Sequence, residues 1–263
     1  MPEVFDTDTH VRIPAKKAQE KVQSEVRKET ASRPQRYFRA ILFEAYVILT
    51  LIAFGILAAL AYSTAYLPID LTITSGFQAY SPTWFQNFML AISWFGFPPQ
   101  AGVIVVFAAA IIFILGYRWE GVMVAISTAV VSLLNLGIKL FVHRPRPSVD
   151  LVHVVKVLSS YSFPSGHVMF FTGFFGFLAF LAYTLLKRSV LRTTLLVVFT
   201  GMVVLVGPSR IYLGEHWFSD VIGGYLLGSL GLVATIQFYR WGKPRFFAKQ
   251  PVASEKPGEE KTG

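Results

Sequence analysis

Residues 121–147 have the sequence GVMVAISTAVVSLLNLGIKLFVHRPRP. No charged residue interrupts this stretch before Lys139, and Arg144 and Arg146 then follow, each next to proline. A bilayer core of roughly 30 Å is crossed by about 20 apolar residues in a helix. The stretch therefore predicts a membrane-spanning helix over residues 121–141 that ends in a stiff, strongly basic turn.

Five other segments are apolar enough, over a sufficient length, to cross a membrane. They cover residues 41–63, 100–116, 166–186, 194–212 and 218–239. In the whole chain 54% of the residues are apolar and only 15% are charged, whereas soluble domains average about 25% charged residues. We therefore expect an all-α fold, a polytopic membrane bundle of six transmembrane helices, and hydropathy excludes a soluble domain.

The charged residues are concentrated at the two ends of the chain. This distribution predicts a polar cytoplasmic extension at 1–36, a membrane domain at 37–242 and a largely disordered cytoplasmic tail at 243–263. A net charge of +9 in a soluble protein would suggest nucleic acid, but here the cations flank apolar spans. They indicate contact with anionic lipid headgroups of the bilayer, and we expect no nucleic-acid partner. The chain has no cysteine, which excludes disulfides and thiol chemistry.

The distribution of basic residues predicts the orientation of the bundle. With the N-terminus inside, nineteen of the 24 Lys and Arg residues fall on the inner side and five on the other. Basic residues favour the cytoplasmic side of a membrane. Both termini are therefore expected in the cytoplasm.

The outer segment 64–99 carries apolar residues near helical spacing between positions 84 and 95. This pattern indicates an interfacial helix that lies along the bilayer surface, in the outer segment between helices 1 and 2. Ordinary core packing beneath a loop explains the same pattern, and the sequence leaves both explanations open.

Three polar clusters fall on this outer side. The first joins Lys139 to Arg146 and Pro147, where prolines stop the helix and let two cations converge on one anion. Arg144 and His143 are expected only at the rim of such a site. In a membrane protein, ionisable residues at helix ends are functional candidates.

The second cluster is Pro164-Ser165-Gly166-His167, at the predicted start of a helix. A helix N-terminus offers free N–H groups and a positive dipole to a phosphate. His167 can exchange a proton near neutral pH.

The third cluster contains Ser209, Arg210, His216 and Asp220. The spacing of His216 and Asp220 predicts one shared helix face, on which the carboxylate orients the imidazole. Together the clusters supply three cations, two histidines and a carboxylate, which suffices for phosphoryl transfer without a metal. The outer carboxylates are not expected to cluster, so we expect neither a metal site nor a cofactor. They are Asp70, Asp150, Glu215 and Asp220.

Each cluster taken singly has a structural explanation. A His-x-x-x-Asp pair is often only a hydrogen bond, basic residues near helix ends extend towards headgroups, and Pro-Ser-Gly alone forms a turn. The functional interpretation depends on the three clusters sharing one side of a chain that is poor in charge.

The combined pattern resembles the signature of the type-2 phosphatidic acid phosphatases, a family of lipid phosphate phosphatases. That signature is Lys, six residues, Arg-Pro; then Pro-Ser-Gly-His; then Ser-Arg, five residues, His, three residues, Asp. Every signature position is matched between Lys139 and Asp220. The resemblance implies that His216 is the nucleophile, that Asp220 orients it and that His167 protonates the leaving group. It also implies a set of phosphate ligands, namely Lys139, Arg146, Ser165, Gly166 and Arg210.

The resemblance implies a lipid substrate and leaves its identity open. Candidates are phosphatidic acid, phosphatidylglycerol phosphate and similar glycerolipid phosphates, with undecaprenyl pyrophosphate as the alternative. A protein that binds or transports lipid phosphates without catalysis is the alternative of another class. The compact chain with a basic N-terminal extension suggests a bacterial plasma membrane protein. The oligomeric state, the role of the extension and the helices that admit the lipid are left open.

Overall fold

A computed structural model of the chain describes residues 3–5 and 12–246, with side chains for residues 37–245. The end of the predicted tail, 247–263, lies outside the described residues. The structure divides into two compact units, Met1–Thr50 and Leu51–Gly263.

The first unit contains a short antiparallel strand pair followed by a long helix. Strands β1 (Glu3–Phe5) and β2 (Arg12–Pro14) pair with Val4 opposite Ile13. Helix α1 (Ala15–Ser63) begins directly after β2 and continues past the end of this unit.

All regular secondary structure in the rest of the described chain is helical. Seven further helices follow, namely α2 (Pro68–Gln78), α3 (Thr83–Trp94), α4 (Pro98–Ile114), α5 (Arg118–Val142), α6 (Gly166–Leu185), α7 (Val190–Tyr212) and α8 (Phe218–Phe246). Residues Tyr37–Ser63 of α1, helices α5, α6 and α7, and most of α8 are each long and apolar enough to cross a membrane. Helices α3 and α4 together form a sixth candidate span that is bent by 59°. The predicted all-α bundle of six membrane spans is confirmed.

The segment 64–99 contains two helices where the sequence predicted one. The predicted helix is α3, which buries Met89 and Ile92 and exposes Trp84 and Trp94. One face of α3 therefore packs on the bundle, against α7, while the opposite face is left open. The bend between α3 and α4 follows from Pro98 at the start of α4, because proline cannot donate the backbone hydrogen bond that would continue a helix.

Helix α6 lies at the centre of the second unit and packs against α5, α7 and α8. In its most apolar stretch 67% of the residues are buried, compared with 11% in α7. Phe171, Phe174 and Phe177 of α6 are almost completely buried. On α8, Gly228 allows a close approach, since a Cβ there would lie 3.0 Å from Cβ of Thr172. The site-bearing ends of α5, α6 and α8 are thus held against one another.

The contact between α4 and α5 yields a prediction about stability. A Cβ added at Gly121 would lie 2.7 Å from the carbonyl oxygen of Ala109, a backbone atom that cannot rotate away. Gly121→Ala should therefore destabilise the protein by about 1–3 kcal/mol, because the two helices must separate. The measurement is the thermal unfolding midpoint in a fixed detergent.

Gly137 on the same helix provides the matched control, because a Cβ there meets nothing within 4 Å. Gly137→Ala should raise stability by up to about 1 kcal/mol, since alanine is the better helix former. Equal shifts in the two variants would contradict the close contact at Gly121.

Candidate active site

The first cluster is formed by the end of α5 and the turn that follows. Lys139 lies in the last turn of α5, and the chain leaves the helix through His143, which has the left-handed φ of 53°. The Lys139 ammonium donates to the carbonyl oxygens of Tyr161 and Ser162. Both cations of this cluster are fixed on the α5–α6 connection, because Arg146 donates from Nε to the carbonyl oxygen of Ser160 at 2.7 Å.

The second cluster forms the start of α6. Ser165 immediately precedes the helix, and Gly166 and His167 are its first two residues, so their backbone N–H groups have no carbonyl partner within the helix. Asn135 on α5 donates its side-chain amide to the carbonyl oxygen of Pro164 at 3.1 Å and thereby holds this turn in place. A Cβ at Gly166 would lie 3.0 Å from Oδ1 of Asn135, which explains why glycine suits this position.

The third cluster connects α7 to α8. Arg210 lies in the last turn of α7 and forms a buried ion pair with Glu215. His216 lies in the connecting turn and Asp220 in the first turn of α8, so the predicted shared helix face is wrong. The two side chains still meet, because the Asp220 carboxylate folds back and accepts from the backbone N–H of Trp217 at 2.9 Å.

The hydrogen bonds around His216 define its protonation. Nε2 lies 3.2 Å from a guanidinium nitrogen of Arg146, which can only donate, so Nε2 carries the lone pair. Nδ1 therefore carries the proton, and it lies 3.5 Å from Oδ2 of Asp220 and 3.5 Å from Oγ of Ser162. In this arrangement the acceptor nitrogen of His216 lies beside a cation and the donor nitrogen beside a carboxylate.

The surroundings of His216 keep the ring neutral. Burial lowers the pKa of His216 well below its ordinary value, and the positive charges of Arg146, Lys139 and Arg210 lower it further. A hydrogen bond with the Ser162 backbone acts in the opposite direction and is the weaker influence. The imidazole is therefore available as a nucleophile at neutral pH.

A cavity of about 650 Å³ joins the three clusters. Its polar end is formed by five of the predicted side chains, namely Lys139, Arg146, His167, Arg210 and His216. The other walls come mainly from apolar and small residues of α4 and α5, among them Ala101, Gly102, Val105, Ala125 and Ala129. The cavity thus combines a cationic end with an apolar wall.

Three of the predicted site residues have buried polar atoms that lack a partner among the described residues. These atoms are Oγ of Ser165, Nε2 of His167 and Nε of Arg210. Buried polar atoms in folded proteins are nearly always hydrogen-bonded, so such a concentration in one place indicates a site for a polar ligand.

The cations of this region differ in whether they form an ion pair with a carboxylate. Arg144 binds both Asp70 and Asp220, and Arg210 binds Glu215. Within residues 37–245, no carboxylate forms an ion pair with Lys139 or Arg146, which are held by neutral oxygen and nitrogen acceptors. Their positive charge remains available to an anion in the cavity.

Two expectations about this region are wrong. Arg144 is not at the rim, since it is 1% exposed. The outer carboxylates do cluster in part, because the Arg144 guanidinium brings Asp70 and Asp220 together. The physical reason is the same in both cases: a buried arginine requires carboxylate partners.

Comparison with known proteins identifies the family. Residues 117–244 match the PAP2 superfamily. Phosphatidylglycerophosphatase B of Bacillus subtilis (strain 168) is 31% identical over 179 residues, which make up 67% of this chain and 86% of that protein. The chain belongs to the PAP2 superfamily. This agrees with the family that the motifs resemble.

Two further relatives of this PAP2 chain extend the comparison. The crystal structure of the first transmembrane PAP2 type phosphatidylglycerolphosphate phosphatase from Bacillus subtilis superposes with a TM-score of 0.66 at 28% identity, covering 74% of this chain and 96% of that one. An undecaprenyl-diphosphatase of Sulfolobus acidocaldarius is 43% identical, but only over 72 residues, 27% of this chain and 30% of that protein. With its membrane-spanning helices, the PAP2 chain is an integral membrane protein.

Sequence reasoning did not select three polar residues that contact the predicted site. Asp70 binds Arg144, the Ser162 hydroxyl donates to Asp220, and Asn135 supports the turn before α6. Asn135 had a usable signal, because it is the single amide side chain in the predicted membrane span 121–141. Ser162 and Asp70 carry no such signal in the sequence.

The electrostatics of His216 lead to a prediction about pH. In histidine-ring NMR spectra of the free protein, His216 should remain neutral well below pH 6.5, the ordinary midpoint for histidine. Arg146→Met should raise the midpoint, because it removes the neighbouring cation with the largest effect. A wild-type midpoint at or above about 6.5 would contradict the buried, cation-rich environment.

Proposed function

We propose that this PAP2 chain is a membrane phosphatase that removes phosphate from lipid phosphates or pyrophosphates. The proposal rests mainly on the cavity, in which two histidines and three cations lie together at one end of a space with apolar walls. The partnerless atoms of Ser165, His167 and Arg210 support a phosphate at this end. The activities named for the relatives support the same reaction class.

In the first step Nε2 of His216 attacks phosphorus, and the bond between phosphorus and the lipid oxygen breaks. His167 enters this step as the imidazolium, which the negative charge of the bound phosphate stabilises, and it gives the proton on its Nε2 to that oxygen, which leaves as an alcohol or a shorter phosphate. Lys139 and Arg146, which have no carboxylate partner among residues 37–245, neutralise the phosphoryl oxygens together with Arg210. Ser165 and the first N–H groups of α6 complete the phosphate site.

In the second step water attacks the phosphohistidine, and the bond between nitrogen and phosphorus breaks to give inorganic phosphate. His167, which is now neutral, accepts a proton from that water. The ring of His216 is positively charged while it carries the phosphoryl group, and the nearby Asp220 carboxylate stabilises this charge. The protein cations perform the charge neutralisation that a metal supplies in other phosphatases, so turnover should need no metal.

The apolar wall of the cavity provides a place for the lipid tail. Gly102, Ala125 and Ala129 are exposed residues on α4 and α5 that line the cavity, and their small side chains leave room between these helices. A lipid tail can therefore lie between α4 and α5 while its phosphate reaches His216. We propose this space as the entry route that the sequence left open.

The distribution of basic residues supports the orientation within this proposal. Both termini lie in the cytoplasm and the active site at the outer face of a bacterial plasma membrane, because nineteen of the 24 Lys and Arg residues then fall inside. The membrane domain covers residues 37–242, the extension precedes it and the tail follows it. Among the substrates, phosphatidylglycerol phosphate is placed first because a relative that matches 67% of this chain, phosphatidylglycerophosphatase B, is named for it.

The proposal predicts phosphate release that resists chelation. Detergent-purified protein is given phosphatidylglycerol phosphate, phosphatidic acid and undecaprenyl pyrophosphate side by side, with excess chelator. The wild-type protein should release phosphate, and His216→Ala should reduce the rate by at least about 10³-fold because the nucleophile is lost. Short-tailed analogues should react less efficiently, since they leave the α4–α5 wall unused.

Arg146→Lys is a second test, which retains the positive charge and changes only the geometry of the group that carries it. This variant should also lose most of the activity, because lysine cannot reproduce the bidentate contact of a guanidinium group with phosphate. Release that is equal in wild type and His216→Ala would refute the assigned nucleophile. Lipid binding without release of phosphate from any of the three would instead support a binding or transport protein.

A further inference from the structure

Arg144 is a fully buried cation that the mechanism above does not use. Its two terminal nitrogens bind different carboxylates, Asp70 at 2.9 Å and Asp220 at 2.6 Å, and all three side chains are 0% exposed. Its Nε donates to the carbonyl oxygen of Ala65 at 3.2 Å. Every edge of the guanidinium is therefore engaged, and the side chain is held in one orientation.

Asp70 connects this arginine to two helix starts. Its carboxylate accepts from the backbone N–H of Leu67 at 2.8 Å, which caps α2. It also accepts from the backbone N–H of Ser219 at 2.8 Å and from the Ser219 hydroxyl at 2.9 Å. Ser219 directly precedes Asp220 in the first turn of α8. Asp70 therefore fixes the position of the backbone next to Asp220.

The Asp220 carboxylate divides its two oxygens between Arg144 and the histidine side. Oδ1 accepts from Arg144. Oδ2 accepts from Trp217 N–H and from the Ser162 hydroxyl, and it is the oxygen that faces Nδ1 of His216. With Oδ1 tied to Arg144, the carboxylate cannot rotate, and Oδ2 is kept towards the imidazole.

We propose that Asp70 and Arg144 are positioning residues that act on His216 through Asp220. This inference rests on the proposed function, in which His216 is the nucleophile. Neither residue lines the cavity, so neither can contact the substrate. Their effect is on the orientation and the charge of Asp220.

The charge balance explains why two carboxylates are needed. Asp70, Arg144 and Asp220 together carry a net charge of −1, and this negative charge lies beside Nδ1 of His216. If Asp70 becomes neutral, Arg144 cancels the charge of Asp220, and nothing is left to stabilise the positively charged phosphohistidine. Asp70 thus restores the negative charge that Arg144 would otherwise remove.

The test uses Asp70→Asn, which preserves the shape of the side chain, removes its charge and replaces one of its two acceptor oxygens with an NH2 group. It should lower kcat by about 10- to 100-fold, the range typical of residues that orient a histidine indirectly. KM should change by less than about threefold, because Lys139, Arg146 and Arg210 are untouched. Arg144→Lys should behave similarly, since a single nitrogen cannot reproduce the two separate guanidinium nitrogens that bind Asp70 and Asp220.

A second readout separates positioning from simple loss of structure. Calorimetry measures binding of inorganic phosphate and of orthovanadate, which takes a fifth bond from the nucleophilic nitrogen and so reports the placement of His216. Asp70→Asn should weaken vanadate binding by about the same factor as kcat and leave phosphate binding unchanged. Equal weakening of both anions, or no change in either, would overturn the inference.

Two variants act as controls. Lys243→Met breaks another ion pair, with Glu120 at the opposite end of α5, and should lower thermal stability without altering the ratio of vanadate to phosphate affinity. If the Arg144 variant does not fold, Ser219→Ala takes its place. It removes one hydrogen bond to Asp70 and should lower kcat by only a few fold.

Different results refute the proposed function and the positioning role. A wild-type protein that releases no phosphate from any lipid refutes the proposed function. Asp70→Asn that retains the wild-type kcat and vanadate affinity refutes only the positioning role. Vanadate binding needs no turnover, so this readout decides the inference even for an inactive preparation.

Discussion

The buried end of the bundle depends on how four cations are neutralised. These are Lys139, Arg144, Arg146 and Arg210. Removing a charge from water costs several kcal/mol, so each needs close partners. Arg144 and Arg210 use carboxylates, whereas Lys139 and Arg146 use carbonyl, hydroxyl and imidazole acceptors. Arg144 binds its carboxylates outside the cavity, and Arg210 lines the cavity with its charge balanced by Glu215. Lys139 and Arg146 leave unbalanced positive charge where the cavity opens.

This division links the fold to the chemistry. The cavity lies where the end of α5, the start of α6 and the α7–α8 turn meet, and the packing of α6 against its neighbours brings them together. The same helices are apolar on the outside and cross the membrane. The cationic site lies at their ends. A phosphate on a lipid tail satisfies both features, since its anion neutralises the site and its tail contacts the apolar wall.

Much of this could be predicted from the sequence. Hydropathy predicted five of the spans to within about six residues, because a bilayer requires long apolar helices. The sixth differs, since α4 forms a candidate span only together with α3, across a bend of 59°. Motif spacing selected residues that the structure gathers around one cavity, as with Lys139 and His216. The Arg144 bridge could not be predicted, because Asp70 lies 74 residues away and nothing in a single sequence records that pairing. Helix α2 was missed because its sequence, PIDLTITSGFQ, is rich in β-branched residues and contains glycine, which favour helix only weakly.

The central claim is that His216 carries the phosphoryl group during turnover. The most direct test mixes the protein with a lipid radiolabelled in its terminal phosphate, quenches the reaction within milliseconds and maps the label by peptide. The account predicts an acid-labile, base-stable phosphoryl group on the peptide that contains His216, which appears before free phosphate and decays as phosphate is released. Label on another residue, or rapid phosphate release with no labelled protein at any time, would contradict it.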